Sequence, residues 1–112
     1  MKKVEAIIRS EKFEEIREAL SSHNIKGLTV SQVMGCGNQK GKKNFYRGTV
    51  VELSLLPKTK IEVVTEDEYV SDIVKLIAEV AKTGAIGDGK IFVYNIEEVV
   101  RIRTGESGDD AI

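Results

Sequence analysis

Apolar and polar residues alternate over residues 3–9 (KVEAIIR), placing Val4, Ala6 and Ile8 on one face and Glu5, Ile7 and Arg9 on the other. A period of two marks a strand with one buried face. Beyond it, Phe13, Ile16, Ala19 and Leu20 recur at helical spacing, which predicts an amphipathic helix over about residues 11–22. Ser10 is placed to cap it, and Glu11, Glu14 and Glu15 carry the charge that suits a helix N-terminus. Asn24 and Gly27 punctuate its end. Residues 28–34 read as a second strand. Residues 35–48 (GCGNQKGKKNFYRG) then lose all periodicity, and they hold four glycines with Lys40, Lys42, Lys43 and Arg47 and no acid. A long loop of this kind in a small domain is usually functional or disordered. Residues 49–56 read as its returning arm, Pro57 interrupts, and residues 59–65 form a third strand. Glu66-Asp67-Glu68 opens a second helix with Val70, Ile73, Val74, Ile77 and Val80 as its core stripe. A tight glycine loop follows at 83–90 and a fourth strand at 91–94. Residues 99–103 (VVRIR) are expected to extend the sheet, and the acidic tail at 105–112 to be mobile.

The order βαββαβ, with helices enough for one face only, is that of an α+β ferredoxin-like sandwich in a single domain over residues 1–112. Ile7 and Val64 fall on the face the helices do not cover, so association with further copies is expected.

Charge and composition narrow the chemistry. Seventeen Lys and Arg against eighteen Asp and Glu leave a net charge of −1, so no global attraction to nucleic acid or membrane follows. The single cysteine, Cys36, and the single histidine, His23, exclude an intrachain disulfide and the metal sites built on several imidazoles or thiolates. No apolar run approaches the ~20 residues needed to span a bilayer. The opening Met1-Lys2-Lys3-Val4-Glu5 has no apolar signal core, and a cytoplasmic protein is the expectation.

Candidate chemistry gathers at glycine-rich turns. Residues 84–90 satisfy G-x-x-x-x-G-K, but Ile91 stands where a Walker loop has Ser or Thr, and the loop runs from helix into strand instead of the reverse. What remains is bare backbone N–H groups beside Lys90, a cradle suited to an anion, although a plain turn explains the glycines as well. Arg101 and Arg103, two apart on an expected strand, share a face at roughly 7 Å spacing. Two guanidiniums so placed suit a polyphosphate, or equally a solvated edge. Gly35-Cys36-Gly37 and Asn38-Gln39-Lys40-Gly41 make a second glycine-rich turn, without the third glycine of a dinucleotide fingerprint. Catalytic constellations are missing: His23 has no nucleophile partner in sequence, and Glu66, Asp67 and Glu68 read as a helix start. Ligand binding without turnover is the class these residues favour.

Taken together, these segments resemble the PII family of nitrogen-regulatory signal-transduction proteins from residue 1 to residue 105. The most specific stretch is TGAIGDGKIFV at 83–93, supported by LPKTKIE at 56–62, GNQKG at 37–41 and Tyr46-Arg47-Gly48. The resemblance implies a homotrimer that binds ATP or ADP in clefts between subunits. Gly35, Gly37, Asn38 and Gln39, with Gly87, Asp88, Gly89 and Lys90, would line the phosphates. Arg101 and Arg103 would reach in from the neighbouring subunit, and Ile7, Thr29, Glu62 and Val64 would surround the adenosine. Gln39, Lys40, Gly41, Lys58 and Gly87 match the positions that hold 2-oxoglutarate, Gln39 through a Mg2+ shared with the ATP phosphates. Residues 37–55 correspond to the partner-contacting T-loop, with Lys42, Lys43, Tyr46, Arg47 and Thr49 at its contact positions. Arg47 matches the arginine that enters ammonium transporters. Transporters and nitrogen-metabolism enzymes or regulators are the partners implied, with no direct nucleic-acid contact and the membrane reached only through a transporter.

Three positions depart from the family pattern. Val51 stands at the tyrosine used for uridylylation, which removes that modification. Thr49 stands where cyanobacterial relatives carry a phosphorylated serine. Asn38 replaces a phosphate-contacting arginine, so weaker nucleotide binding or weaker ATP/ADP discrimination is expected. Two readings from other classes compete with a sensor. An RRM-type RNA module shares the βαββαβ order but needs stacked aromatics, and aromatics are 5% here. A nucleotide-hydrolysing enzyme needs a general base that is not visible.

Overall fold

The computed structural model describes residues 1–25, 27–36 and 55–112 in full, and the backbone alone of residues 43–46 and 49–52. The elements are β1 (Lys2–Ile8), α1 (Phe13–Ser22), β2 (Thr29–Cys36), β3 (Lys43–Tyr46), β4 (Thr49–Glu52), β5 (Leu55–Thr65), α2 (Asp67–Ala81) and β6 (Lys90–Asn95). Four strands form one antiparallel sheet in the order β2-β5-β1-β6, and β3 pairs with β4 separately. With β3 and β4 set aside, this is the ferredoxin-like arrangement.

The alternation in β1 is what seats it at the centre. Val4, Ala6 and Ile8 are buried against the helices together with Ile61 and Val63 of β5. Ile16 and Leu20 of α1 and Ile73, Ile77 and Ala81 of α2, each set at i, i+4 spacing, complete this core. Helix α1 begins two residues later than its periodicity suggests, because residues 10–12 form a 3-10 turn. Ser10 does not cap it; its hydroxyl instead accepts a hydrogen bond of 2.9 Å from Thr59 Oγ1 on β5. The helix ends in a Schellman motif. Ile25 N–H bonds the Leu20 carbonyl, Asn24 N–H bonds that of Ser21, and Asn24 takes the left-handed φ of 63°.

Pro57 does not interrupt the third strand of the sheet, which runs on from Leu55 to Thr65. Its register explains why. The β1 partner stops at the Ile8–Thr59 pair, so Pro57 lies where β5 is paired on the β2 side alone, opposite Met34. A residue without an N–H is tolerated at such an edge. β2 likewise outruns the expected strand and continues to Cys36 opposite Leu55.

Residues 99–103 do not extend the sheet. Val100 makes only an isolated bridge to Ser107, and Arg101–Thr104 is a turn closed by Gly105 at φ 73°. The shared strand face expected for Arg101 and Arg103 is therefore absent. Glycines at 105 and 108, both at positive φ, reverse the chain where a strand would have to run on. The tail is folded back as well: Gly108 N–H bonds the Val99 carbonyl, and Gly108–Ala111 forms a 3-10 turn.

The uncovered face of the sheet carries Lys3, Glu5, Ile7, Lys60, Glu62, Val64, Phe92 and Tyr94. Glu5 and Glu62 lie directly opposite one another, an arrangement that is unfavourable by itself. Lys3 Nζ compensates at 3.9 Å from Glu5 and 3.3 Å from Glu62, and it sits 4.6 Å from the Tyr94 ring centre. The Tyr94 hydroxyl donates a hydrogen bond to Glu5 at 3.0 Å, which raises the tyrosine pKa.

Candidate functional site

The loop between α2 and β6 is built around one carboxylate. Asp88 accepts hydrogen bonds from the Thr83 N–H at 2.8 Å, the Gly84 N–H at 2.9 Å, the Thr83 hydroxyl, and Arg9 Nε at 3.0 Å. The Thr83 hydroxyl is the largest influence, then the Thr83 N–H, and together the donors hold Asp88 far below the usual carboxylate range. The Asp88 side chain is thus the brace of its own loop, which leaves any anion there to the backbone N–H groups and Lys90. Arg9 also donates to the Ile86 carbonyl at 2.9 Å, so the end of β1 grips the loop twice.

A carboxylate whose pKa is lowered by folding stabilises the fold above its unfolded pKa, near 4, and loses that contribution as pH falls below it. Asp88→Asn should therefore lower the melting temperature at pH 7 by several degrees, with the gap to wild type closing steadily below about pH 4. A gap that stayed constant down to pH 2 would show that Asp88 stabilises by packing alone.

Lys58 reaches the same loop from β5. Its ammonium donates to the Gly87 carbonyl at 2.6 Å, and the residue is 8% exposed. Gly35 makes room for it, since a methyl there would stand 3.2 Å from Lys58 Cγ. Gly89 is more constrained. It holds φ +98°, and a methyl on it would overlap the Ile7 carbonyl oxygen. Lys90 follows in register with Ile7. Its ammonium has no hydrogen-bond or ion-pair partner among the described residues. The fold thus gathers Ile7, Gly35, Lys58, Gly87, Asp88, Gly89 and Lys90 at one end of the sheet, and four of these line a cavity of about 280 Å³ (Ile7, Asp88, Gly89 and Lys90).

Thr29, Glu62 and Val64 line a different cavity, of about 750 Å³, whose wall also includes Lys3, Tyr69 and the C-terminal Ile112. Thr29 and Glu62 are register partners, and Glu62 is held between Lys3 at 3.3 Å and Lys60 at 3.7 Å. The two cavities share no lining residue. Arg101 lies on the C-terminal turn, with Nη1 3.3 Å from Glu106 and Nη2 3.5 Å from the Ile112 carbonyl, while Arg103 is exposed. Gly37, Asn38, Gln39, Lys40, Gly41, Lys42 and Arg47 lie outside the described residues, as do the side chains of Lys43, Tyr46, Thr49 and Val51. Among the described residues, no cluster of His, Cys, Asp and Glu could hold a metal, and no helix is long and apolar enough to cross a membrane.

Arg9 and Thr83 escaped the sequence reading. Arg9 is 79 positions from the Asp88 it grips, and only the β1–β6 register brings them together.

A family model described as nitrogen regulatory protein P-II matches residues 1–106. The chain belongs to the P-II family. It is 53% identical over all 112 residues to the nitrogen regulatory protein P-II of Pasteurella multocida, and 55% identical to that of Azospirillum brasilense. The Haemophilus influenzae protein of the same name is 51% identical, and in all three cases the whole of each chain is covered. Membership of the P-II family gives the chain a nitrogen-regulatory signalling role.

Proposed function

We propose that the chain is a non-enzymatic cytoplasmic sensor of nitrogen, carbon and energy status, which binds ATP or ADP in clefts between the subunits of a homotrimer. The division of the candidate residues between two cavities with no wall in common supports this most directly. The glycine loop and Lys90 offer N–H groups and a cation to phosphates, while the larger cavity has the volume for a nucleoside and two polar groups, Thr29 and Glu62, to orient it. Heterologous contact, repeated until the ring closes, brings the first half of one copy against the second half of the next. Arg101 and Arg103 then add charge from the neighbouring chain.

With ATP in place, Gln39 would share a Mg2+ with the phosphates, and Lys40, Gly41, Lys58 and Gly87 would hold 2-oxoglutarate beside it. Lys58 supplies the positive charge a dianion needs at a site poor in water. Residues 37–55, with Lys42, Lys43, Tyr46, Arg47 and Thr49, would carry the state of the site to an ammonium transporter or a nitrogen-metabolism enzyme by population shift.

The test is a calorimetric titration combined with light scattering. The protein should scatter as a trimer and bind ATP. It should bind 2-oxoglutarate with Mg-ATP but neither with Mg-ADP nor alone, and Lys58→Ala should lose the 2-oxoglutarate response. Reciprocity then requires 2-oxoglutarate to tighten ATP but not ADP. A monomer at micromolar concentration, or equal 2-oxoglutarate binding under all three conditions, would overturn the reading.

A further inference from the structure

Of the two arginines near the C-terminus, one is held by the chain's own tail. The Arg101 N–H bonds the Glu106 carbonyl at 2.8 Å, and the Arg101 carbonyl accepts from Gly105 N–H at 2.8 Å. The Val100–Ser107 bridge and the bond from Gly108 N–H to the Val99 carbonyl continue this pairing. Glu106 is fixed from its other side too, since its N–H donates to Thr104 Oγ1 at 3.2 Å. A backbone so constrained points the Glu106 carboxylate at the guanidinium, with Oε1 3.3 Å from Nη1, while Nη2 reaches the Ile112 carbonyl. Arg103, three residues before Glu106, has no such partner among the described residues.

We propose that Glu106 is a latch acting in cis: it parks Arg101 on the chain's own tail, and a polyphosphate must take the guanidinium from it. The proposal rests on the reading above in which Arg101 serves the nucleotide phosphates. A guanidinium grips phosphate best through two parallel N–H donors, and here the Nη1/Nη2 edge is already engaged, Nη1 by Glu106 and Nη2 by the Ile112 carbonyl. The latched carboxylate also opposes the approach of another anion. Glu106 is therefore a positioning residue that lowers affinity, and the latch raises the concentration at which nucleotide fills the site. Both side chains are partly exposed, at 38% and 46%, so the latch has the strength of a surface ion pair and is screened by salt. Release of Arg101 removes one anchor of Ile112, which stands in the wall of the cavity beside Glu62.

Calorimetry with ATP on the wild type, Glu106→Gln, Arg101→Ala and the double variant tests this. Glu106→Gln should tighten ATP by about two- to fourfold at low salt, as expected for an exposed pair. The gain should shrink at about 0.5 M salt, vanish in the Arg101→Ala background and survive in Arg103→Ala. Unchanged or weaker ATP binding by Glu106→Gln, or a gain that persists without Arg101, would overturn the latch alone. A wild type that does not bind ATP would overturn the nucleotide reading and the latch with it.

Discussion

Gly89→Ala is expected to lower the melting temperature by roughly 5 °C or more and to abolish nucleotide binding. Two costs combine at this position. The φ of +98° is one that side chains with a Cβ rarely adopt, worth roughly 1–3 kcal/mol. The added methyl also overlaps the Ile7 carbonyl oxygen, which is backbone in a central strand and has nowhere to move. The loop must then lift away from β1, taking Asp88 and Lys90 with it. Gly84→Ala is the matched control, because Gly84 has a similar φ of +91° with open space around it. It should show the conformational cost without the overlap. Thermal unfolding and an ATP titration on both variants check the prediction, and equal losses from the two would show that close approach to Ile7 is unimportant.

Mixing two inactive variants is expected to restore binding. Lys90→Ala damages the half of the site at the glycine loop, and Glu62→Ala damages the half in the larger cavity. If each cleft takes one half from each of two neighbouring chains, random mixing at equal amounts rebuilds about one intact cleft in four. Each variant alone should bind ATP poorly. The pair, unfolded together and refolded, should recover about a quarter of the wild-type stoichiometry at wild-type affinity. A site contained within one chain predicts no recovery, so an unchanged titration after mixing would exclude the shared cleft.

The sequence reading succeeded where a single physical signal decided the outcome. Alternation placed Val4, Ala6 and Ile8 in the core, and i, i+4 spacing did the same for Ile73 and Ile77. It failed where tertiary pairing overrode local cues. Pro57 reads as a break, yet it lies in a strand because its open side is an edge. Residues 99–103 read as a strand, yet glycines at 105 and 108 turn the chain back on itself. At the site, the spacing of the glycines and Lys90 marks a tight turn beside a cation, and the structure gathers them with Lys58 at one end of the sheet. The role of Asp88 as a brace was not legible, because its donors come from the preceding helix end and from Arg9. Nor could spacing reveal that Thr29 and Gly89 line separate cavities, which depends on strand order.

The overhang of β2 and β5 beyond β1 places Lys58 close to the strand ends that flank residues 37–54. Lys58 pairs with Val33, and only three pairs further on, at Cys36 and Leu55, the ladder reaches the roots of residues 37–54. At about 3.3 Å per residue, this is a continuously paired ribbon roughly 10 Å long. Gly35 lies on this ribbon against the Lys58 stem, so in the proposed sensor a ligand that draws the ammonium away from the Gly87 carbonyl would disturb the packing at Gly35 as well. In the proposed sensor, the charge that receives the ligand and the strand ends that lead into residue 37 and out of residue 54 then belong to one stretch of paired backbone.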